Sequence, residues 1–117
     1  MARISTHVLD IALGCPAAGV RVELFGQAAG QRELIRSAIT NADGRTDEPL
    51  MSTEAIVPGT YELVFHAGAY FKSSAAFQHG ARVFDVITIR FEAADAQGSY
   101  HVPLLLAPNG YTIYRGS

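Results

Sequence analysis

The stretch Tyr100-His101-Val102-Pro103-Leu104-Leu105-Leu106 limits the possible folds of this chain more than any other. Successive side chains on a strand point to opposite faces, so His101, Pro103 and Leu105 share one face and Val102, Leu104 and Leu106 the other. Both faces are apolar. A small two-layer sandwich needs only one face of each sheet for its own core, so a strand apolar on both sides predicts that another subunit covers the second face. His101 lies on one of those faces. After a turn at Pro108-Asn109-Gly110 a further strand is expected over residues 111–114, with Thr112, Tyr114 and Gly116 on one parity. The sequence closes on Arg115-Gly116-Ser117, a guanidinium, a flexible glycine and a hydroxyl. An ending of this kind ordinarily frays into solvent.

The remainder reads as short strands. Residues 4–13 form the first, with Ser5, His7, Leu9 and Ile11 on one parity and Ile4, Thr6 and Val8 on the other. Gly14 to Gly19 reads as a loop, and residues 20–24 as a strand with one wet face. A turn over 26–31 leads to a strand over 33–40, where Ile35 and Ile39 alternate against Arg36 and Ala38. Asp43-Gly44 is a strong turn pair from which Arg45 emerges. A very short strand is expected near 50–51, and a longer one over 60–65 with Tyr61, Leu63 and Phe65 on one face. Residues 67–76 have weak helical character, since Gly68 and the serines disfavour it. A polar loop over 78–82 precedes a strand over 84–92 with Ile87, Ile89 and Phe91 inward. Seven or eight short strands separated by Gly, Pro and Asp turns, with one short helix, are the pattern of an all-β sandwich.

At 117 residues the chain fits one domain, residues 1–117. With 49% apolar and 17% charged residues it lies on the apolar side for a monomer of this size, which leans towards an oligomer. A formal charge of −2 leaves no basic footprint, so no nucleic-acid partner is expected. No run reaches the length of a membrane span, and the first residues lack the apolar stretch of a secretion signal, so a cytoplasmic protein with no membrane partner is expected. The sole cysteine, Cys15, has no internal disulfide partner, in keeping with a reducing compartment. It precedes Pro16 in a turn and reads as a small residue rather than a nucleophile.

Of the four histidines, His66 and His79 read as exposed or locally hydrogen-bonded. His7 and His101 differ because the same-face neighbours of each are apolar. Alone, either would more often be a satisfied interior histidine; together they raise the functional reading. Their separation makes no metal motif, and no His-x-x-x-His or Cys-x-x-Cys occurs, so no metal is expected. No nucleophile elbow or phosphate loop is visible, and no cofactor is expected. A histidine pair with an arginine and hydroxyls suits activation of water rather than a covalent intermediate.

Three segments carry a resemblance. Ser5-Thr6-His7-Val8-Leu9-Asp10, Asn41-Ala42-Asp43-Gly44-Arg45, and the ending that begins Tyr100-His101-Val102-Pro103-Leu104-Leu105 and closes Tyr114-Arg115-Gly116-Ser117 resemble the motifs of the transthyretin-like 5-hydroxyisourate hydrolases. Similarity also runs through residues 16–24 and 61–71. Transthyretin, the hormone carrier of the same superfamily, lacks the final tetrapeptide, so the ending favours the enzyme branch. Asn109 departs from the family, which usually has an aromatic residue before Gly-Tyr, and implies different packing beside the site. The polar stretch 72–82 reads as a variable loop.

The resemblance implies a transthyretin-like sandwich of two four-stranded sheets, assembled as a homotetramer with a central channel. It implies hydrolysis of 5-hydroxyisourate, the product of urate oxidation, to 2-oxo-4-hydroxy-4-carboxy-5-ureidoimidazoline in purine degradation. His7, Arg45, His101 and Ser117 would be catalytic, with Tyr114, Arg115 and Gly116 binding the substrate. Either His7 or His101 would deprotonate water, and Arg45 would stabilise charge on the attacked carbonyl. Two other readings are a carrier of a small aromatic ligand without chemistry, and a structural β-sandwich module.

Overall fold

The computed structural model describes residues 1–28, 30–74 and 83–117. The elements run β1 (Ala2–Ser5), β2 (Val8–Asp10), β3 (Cys15–Pro16), β4 (Arg21–Ala28), β5 (Gln31–Ile39), β6 (Met51–Thr53), β7 (Gly59–His66), α1 (Ala67–Ser73), β8 (Val86–Ala93), β9 (Ser99–His101), β10 (Leu104–Ala107) and β11 (Gly110–Ile113). One layer is the antiparallel sheet β5-β4-β7-β8. The other is assembled from two sheets, β6-β1-β9 and β11-β10-β2-β3, laid end to end. The all-β sandwich expected from the turn spacing is present. Counting β1–β2 and β9–β10 as one interrupted strand each, and setting aside the two-residue β3, gives eight strands among the described residues.

The interruptions are the main correction to the sequence reading, which treats 4–13 and 100–106 as continuous. β1 pairs with β9 and β2 with β10, both in parallel, and both members break at the same level. Pro103 has no N–H to give to a ladder. On either side of it, Val102 N–H donates to the Ser5 carbonyl and Leu104 N–H to the His7 carbonyl, both at 2.9 Å. The buried Thr6 hydroxyl donates to the Val102 carbonyl at 2.6 Å and closes the gap.

β2 also stops at Asp10 rather than at residue 13. The Asp10 carboxylate accepts the Ala12 and Leu13 N–H groups at 3.0 and 2.9 Å, and its carbonyl accepts Gly14 N–H. This is the Asx-type competition that turns a chain out of a strand. Leu13 is therefore half exposed in a turn. Cys15 and Pro16, expected in a loop, form β3 against Asp10 and Leu9, with Cys15 exposed.

Two smaller differences follow from pairing. β4 continues through Gly26 to Ala28, which the sequence reading assigns to a turn. Leu24 pairs with Arg36 and Phe25 with Leu34, so Ile35 is a bulged residue and the parity of β5 changes there. Ala38, opposite Val22, packs on the core, whereas Ile35 and Ile39 are exposed on this edge strand. Helix α1 forms despite Gly68 because it is buried through Ala67, Gly68, Tyr70 and Phe71; tertiary packing outweighs propensity. His79 and most of the polar stretch 72–82 lie outside the described residues.

Ala2, Ile4, Val8, Leu104 and Leu106 from one layer meet Val22, Leu24, Leu63, Phe65 and Ile87 from the other in one hydrophobic cluster. Full burial of each large side chain is worth roughly 1.5–3 kcal/mol. Because these positions alternate along the strands, their neighbours Arg3, Ser5, Ser99 and His101 must face away from the core.

Candidate active site

Register places those outward residues. Arg3 sits opposite Ser99 and Ser5 opposite His101 across the β1–β9 pair. His7 lies between β1 and β2, outside any named strand, and forms an isolated antiparallel bridge with Arg45. The turn that delivers Arg45 is tied together at several points. The Asn41 carbonyl accepts Gly44 N–H at 2.9 Å, and its side-chain oxygen accepts the Asp43 and Arg45 N–H groups. Gly44 has φ +73°, and a Cβ there would collide with the Val8 carbonyl oxygen. Its own carbonyl accepts Val8 N–H at 2.8 Å, which docks the turn beside His7.

The final residues are also tied down. Gly116 N–H donates to the His101 carbonyl at 2.7 Å. Arg115 donates through Nη2 to the Ser99 carbonyl at 3.2 Å, with its guanidinium 4.6 Å from the Tyr100 ring centroid. A Cβ on Gly116 would lie 2.9 Å from His101 Cδ2 and 3.3 Å from Pro103 Cγ. Gly116→Ala is therefore expected to displace the His101 ring and lower kcat by roughly 10- to 100-fold while the melting temperature stays near that of the parent. Steady-state rates and a thermal melt check it; an unchanged rate would mean that the tail yields instead of the imidazole.

One cavity of about 490 Å³ brings together all seven residues singled out by the sequence reading: His7, Arg45, His101, Tyr114, Arg115, Gly116 and Ser117. It adds four that the reading missed, namely Arg3, Ser5, Ser99 and Pro103. Thr112 is not among its lining residues, and Asn109 lies exposed at the β10–β11 turn rather than in the cavity. Parity could have found all four, since Arg3 and Ser5 alternate with the core residues Ala2 and Ile4, and Ser99 and Pro103 lie two positions to either side of His101.

The two imidazoles are in direct contact. His7 Nδ1 lies 2.8 Å from His101 Nε2, and His101 Nδ1 lies 2.8 Å from Ser5 Oγ. Both nitrogens of His101 are thus engaged. His7 Nε2 is the one ring nitrogen of the pair with no hydrogen-bond partner among the described residues. Burial lowers the pKa of His7 below the usual imidazole value, and the Arg45 charge lowers it further. His101 is lowered by burial first, then by His7 and Arg45. Both rings are consequently neutral at neutral pH, and a neutral imidazole with a free nitrogen can accept a proton.

Arg3, Arg45 and Arg115 are among the lining residues, with no aspartate or glutamate, and the Arg45 charge is the one felt at both imidazoles. In a protein of net charge −2 this is a local positive field. It suits a substrate dense in carbonyl oxygens or negative charge, or one that becomes negative during reaction. Among the described residues no group of three or more His, Cys, Asp or Glu side chains is placed to hold a metal ion.

The model of the HIUase/Transthyretin family matches residues 4–116. A protein of Rhizobium meliloti (strain 1021) named 5-hydroxyisourate hydrolase 2 is 50% identical over 115 residues, covering 98% of this chain and 96% of that protein. The solved structure of Klebsiella pneumoniae 5-hydroxyisourate hydrolase superposes with a TM-score of 0.80 at 36% identity, over the full length of both chains. An (S)-allantoin synthase structure gives a TM-score of 0.88 at 35% identity over 99% of this chain, which spans only 44% of that protein.

Proposed function

Because this chain belongs to the HIUase/Transthyretin family and is half identical to a 5-hydroxyisourate hydrolase along its length, we propose that it hydrolyses 5-hydroxyisourate at the cavity around His7 and His101. The reaction opens the six-membered ring at its amide and yields 2-oxo-4-hydroxy-4-carboxy-5-ureidoimidazoline, a step of urate degradation. The observation that carries the reading is the 2.8 Å contact between two imidazoles whose basicity is depressed, in a cavity that Arg45 also lines.

The geometry supports His7 as the general base. With His7 Nδ1–H donating to His101 Nε2, the lone pair on His7 Nε2 takes a proton from water as the oxygen attacks the ring carbonyl. His101 holds the His7 ring and shares the positive charge that forms. The Arg45 guanidinium stabilises the oxyanion. As the ring C–N bond breaks, His7 returns its proton to the leaving nitrogen, so the imidazole ends the cycle neutral. Tyr114, Arg115, Gly116 and Ser117 close the cavity and orient the ring, with the Ser117 hydroxyl as a further donor. A carrier of an apolar aromatic ligand would want an apolar lining, and arginine, histidine and serine supply the opposite.

The same reading includes a homotetramer. Ile11, Leu13, Tyr111 and Tyr114 are 50%, 49%, 38% and 49% exposed, and Leu105 is half buried on the face away from the core. Covering these side chains with other subunits would also hold the site-lining tail in place. The shared core supports reading residues 1–117 as one domain. No helix among the described residues is long and apolar enough to cross a membrane; the reading takes the protein to be cytoplasmic.

The pH dependence tests it. Because both imidazoles titrate below the usual value near 6.5, kcat/KM is expected to hold level through neutrality. It should fall only as pH drops below that value and the base is protonated. Initial rates of 5-hydroxyisourate loss between pH 5 and 9, corrected for uncatalysed decay, provide the profile. An acid limb centred above pH 7, or no excess rate at any pH, would contradict the assignment.

A further inference from the structure

We propose that Ser5, which none of the sequence motifs singles out for a role, is a positioning residue that fixes the His101 imidazole and thereby leaves His7 free to act as base. The proposal rests on the hydrolase reading of the same site and deepens it. A neutral imidazole has one N–H and one lone pair, so the chain of contacts Ser5 Oγ–His101–His7 can run in two directions. In one, Ser5 donates to His101 Nδ1, His101 Nε2–H donates to His7 Nδ1, and His7 Nε2 carries a hydrogen and is useless as a base. In the other, His7 Nδ1–H donates to His101 Nε2, His101 Nδ1–H donates to Ser5 Oγ, and His7 Nε2 keeps its lone pair.

Ser5 favours the second direction for two reasons visible in the fold. It is only half buried and lines the cavity, so its hydroxyl hydrogen can point to water while its oxygen accepts. The oxygen also matters once water has lost its proton. The excess proton then lies on the His7–His101 pair, and whenever it sits on His101 both nitrogens of that ring must donate. Nε2–H has His7, and Nδ1–H has Ser5 at 2.8 Å. A hydrogen bond to a charged group is stronger than one to a neutral group, so the contact strengthens as the reaction proceeds. Serine takes the place that a carboxylate fills in other histidine relays. Being neutral, it orients the ring while raising its basicity less than a carboxylate would, so burial and Arg45 still hold both rings below the usual value. The register supports the placement: Ser5 is paired directly with His101 in the parallel β1–β9 ladder, which sets the distance by backbone rather than by a flexible side chain.

The test compares Ser5→Ala with Ser5→Thr, which keeps a hydroxyl on the same carbon. Ser5→Ala is expected to lower kcat by about 10- to 100-fold, the effect of losing one hydrogen bond to a charged group, with KM changed less than about twofold. Its acid limb should move to lower pH, because the imidazolium loses a partner. Ser5→Thr should recover most of kcat and the parent pH profile. If alanine prevents folding, Ser5→Cys, which keeps the volume with a poor acceptor, takes its place. A parent-like kcat in Ser5→Ala, or a threonine variant as impaired as alanine, would overturn the proposal. Titration of the histidine ring protons by NMR is run alongside and needs no substrate. If the parent proves inactive on 5-hydroxyisourate, the hydrolase reading fails, and a downward shift of the His101 titration in Ser5→Ala still decides whether Ser5 holds that ring.

Discussion

Replacing His7 with Asn is expected to lower kcat for 5-hydroxyisourate by about 10²–10⁴-fold, the range of general-base assistance, with little change in KM. Asparagine keeps a polar group of similar reach near His101 but has no basic nitrogen. The His7–Arg45 bridge is made by backbone, so the fold and the placement of Arg45 should survive. His101→Asn should also be severely impaired, because His7 Nδ1 would lose the partner that fixes its tautomer. The double variant should be hardly worse than the worse single one, as for residues that act as a unit. A His7→Asn enzyme that retains activity beside an inactive His101→Asn enzyme would reverse the assignment of base and partner.

The largest expected effect on stability lies at Asp10. Its carboxylate is fully buried and accepts three hydrogen bonds, from Ala12 N–H, Leu13 N–H and, at 2.6 Å, from the Tyr70 hydroxyl of α1. Burial first, and then the carboxylate of Asp10, raise the pKa of Tyr70 well above the ordinary phenol value, so the hydroxyl keeps its proton and donates at any physiological pH. Asp10→Ala leaves these donors without an acceptor. The expected cost is roughly 3–5 kcal/mol, the range for breaking a buried network. Tyr70→Phe, which removes one of the three contacts, should cost about 1–2 kcal/mol. Urea unfolding followed by fluorescence or circular dichroism measures both. A loss below about 1 kcal/mol in Asp10→Ala would mean that water replaces the carboxylate. Activity should decline with stability, since β2 carries Asp10 at one end and is preceded by His7 at the other.

These residues show what the sequence could and could not reveal. Strand parity correctly grouped Ile4 with Val8 and Leu104 with Leu106, the faces that prove to be core, and left His101 on the other face, because period-two alternation survives a local break. The breaks at Thr6–His7 and Val102–Pro103 were not legible, although Pro103 was a clue; their cause is a cross-strand arrangement that pairs residues nearly a hundred positions apart. The bulge at Ile35 was hidden for the same reason: pairing register is a property of two strands, not of one. The role of Asp10 is not legible in its motif, because a buried carboxylate looks like any other acidic residue until its donors are in place. The candidate site was legible as a set, through the motifs that the resemblance supplied. Its internal order, with His101 between Ser5 and His7, depends on distances that sequence does not contain.

The central claim, that this cavity hydrolyses 5-hydroxyisourate with its histidine pair, is tested most directly by ultraviolet decay of that compound generated in place from urate by urate oxidase. Three traces are compared: no added protein, the parent protein, and a folded His101→Asn variant. Decay is expected to be much faster with the parent and to return close to the uncatalysed rate with the variant. Equal decay in all three traces would contradict it.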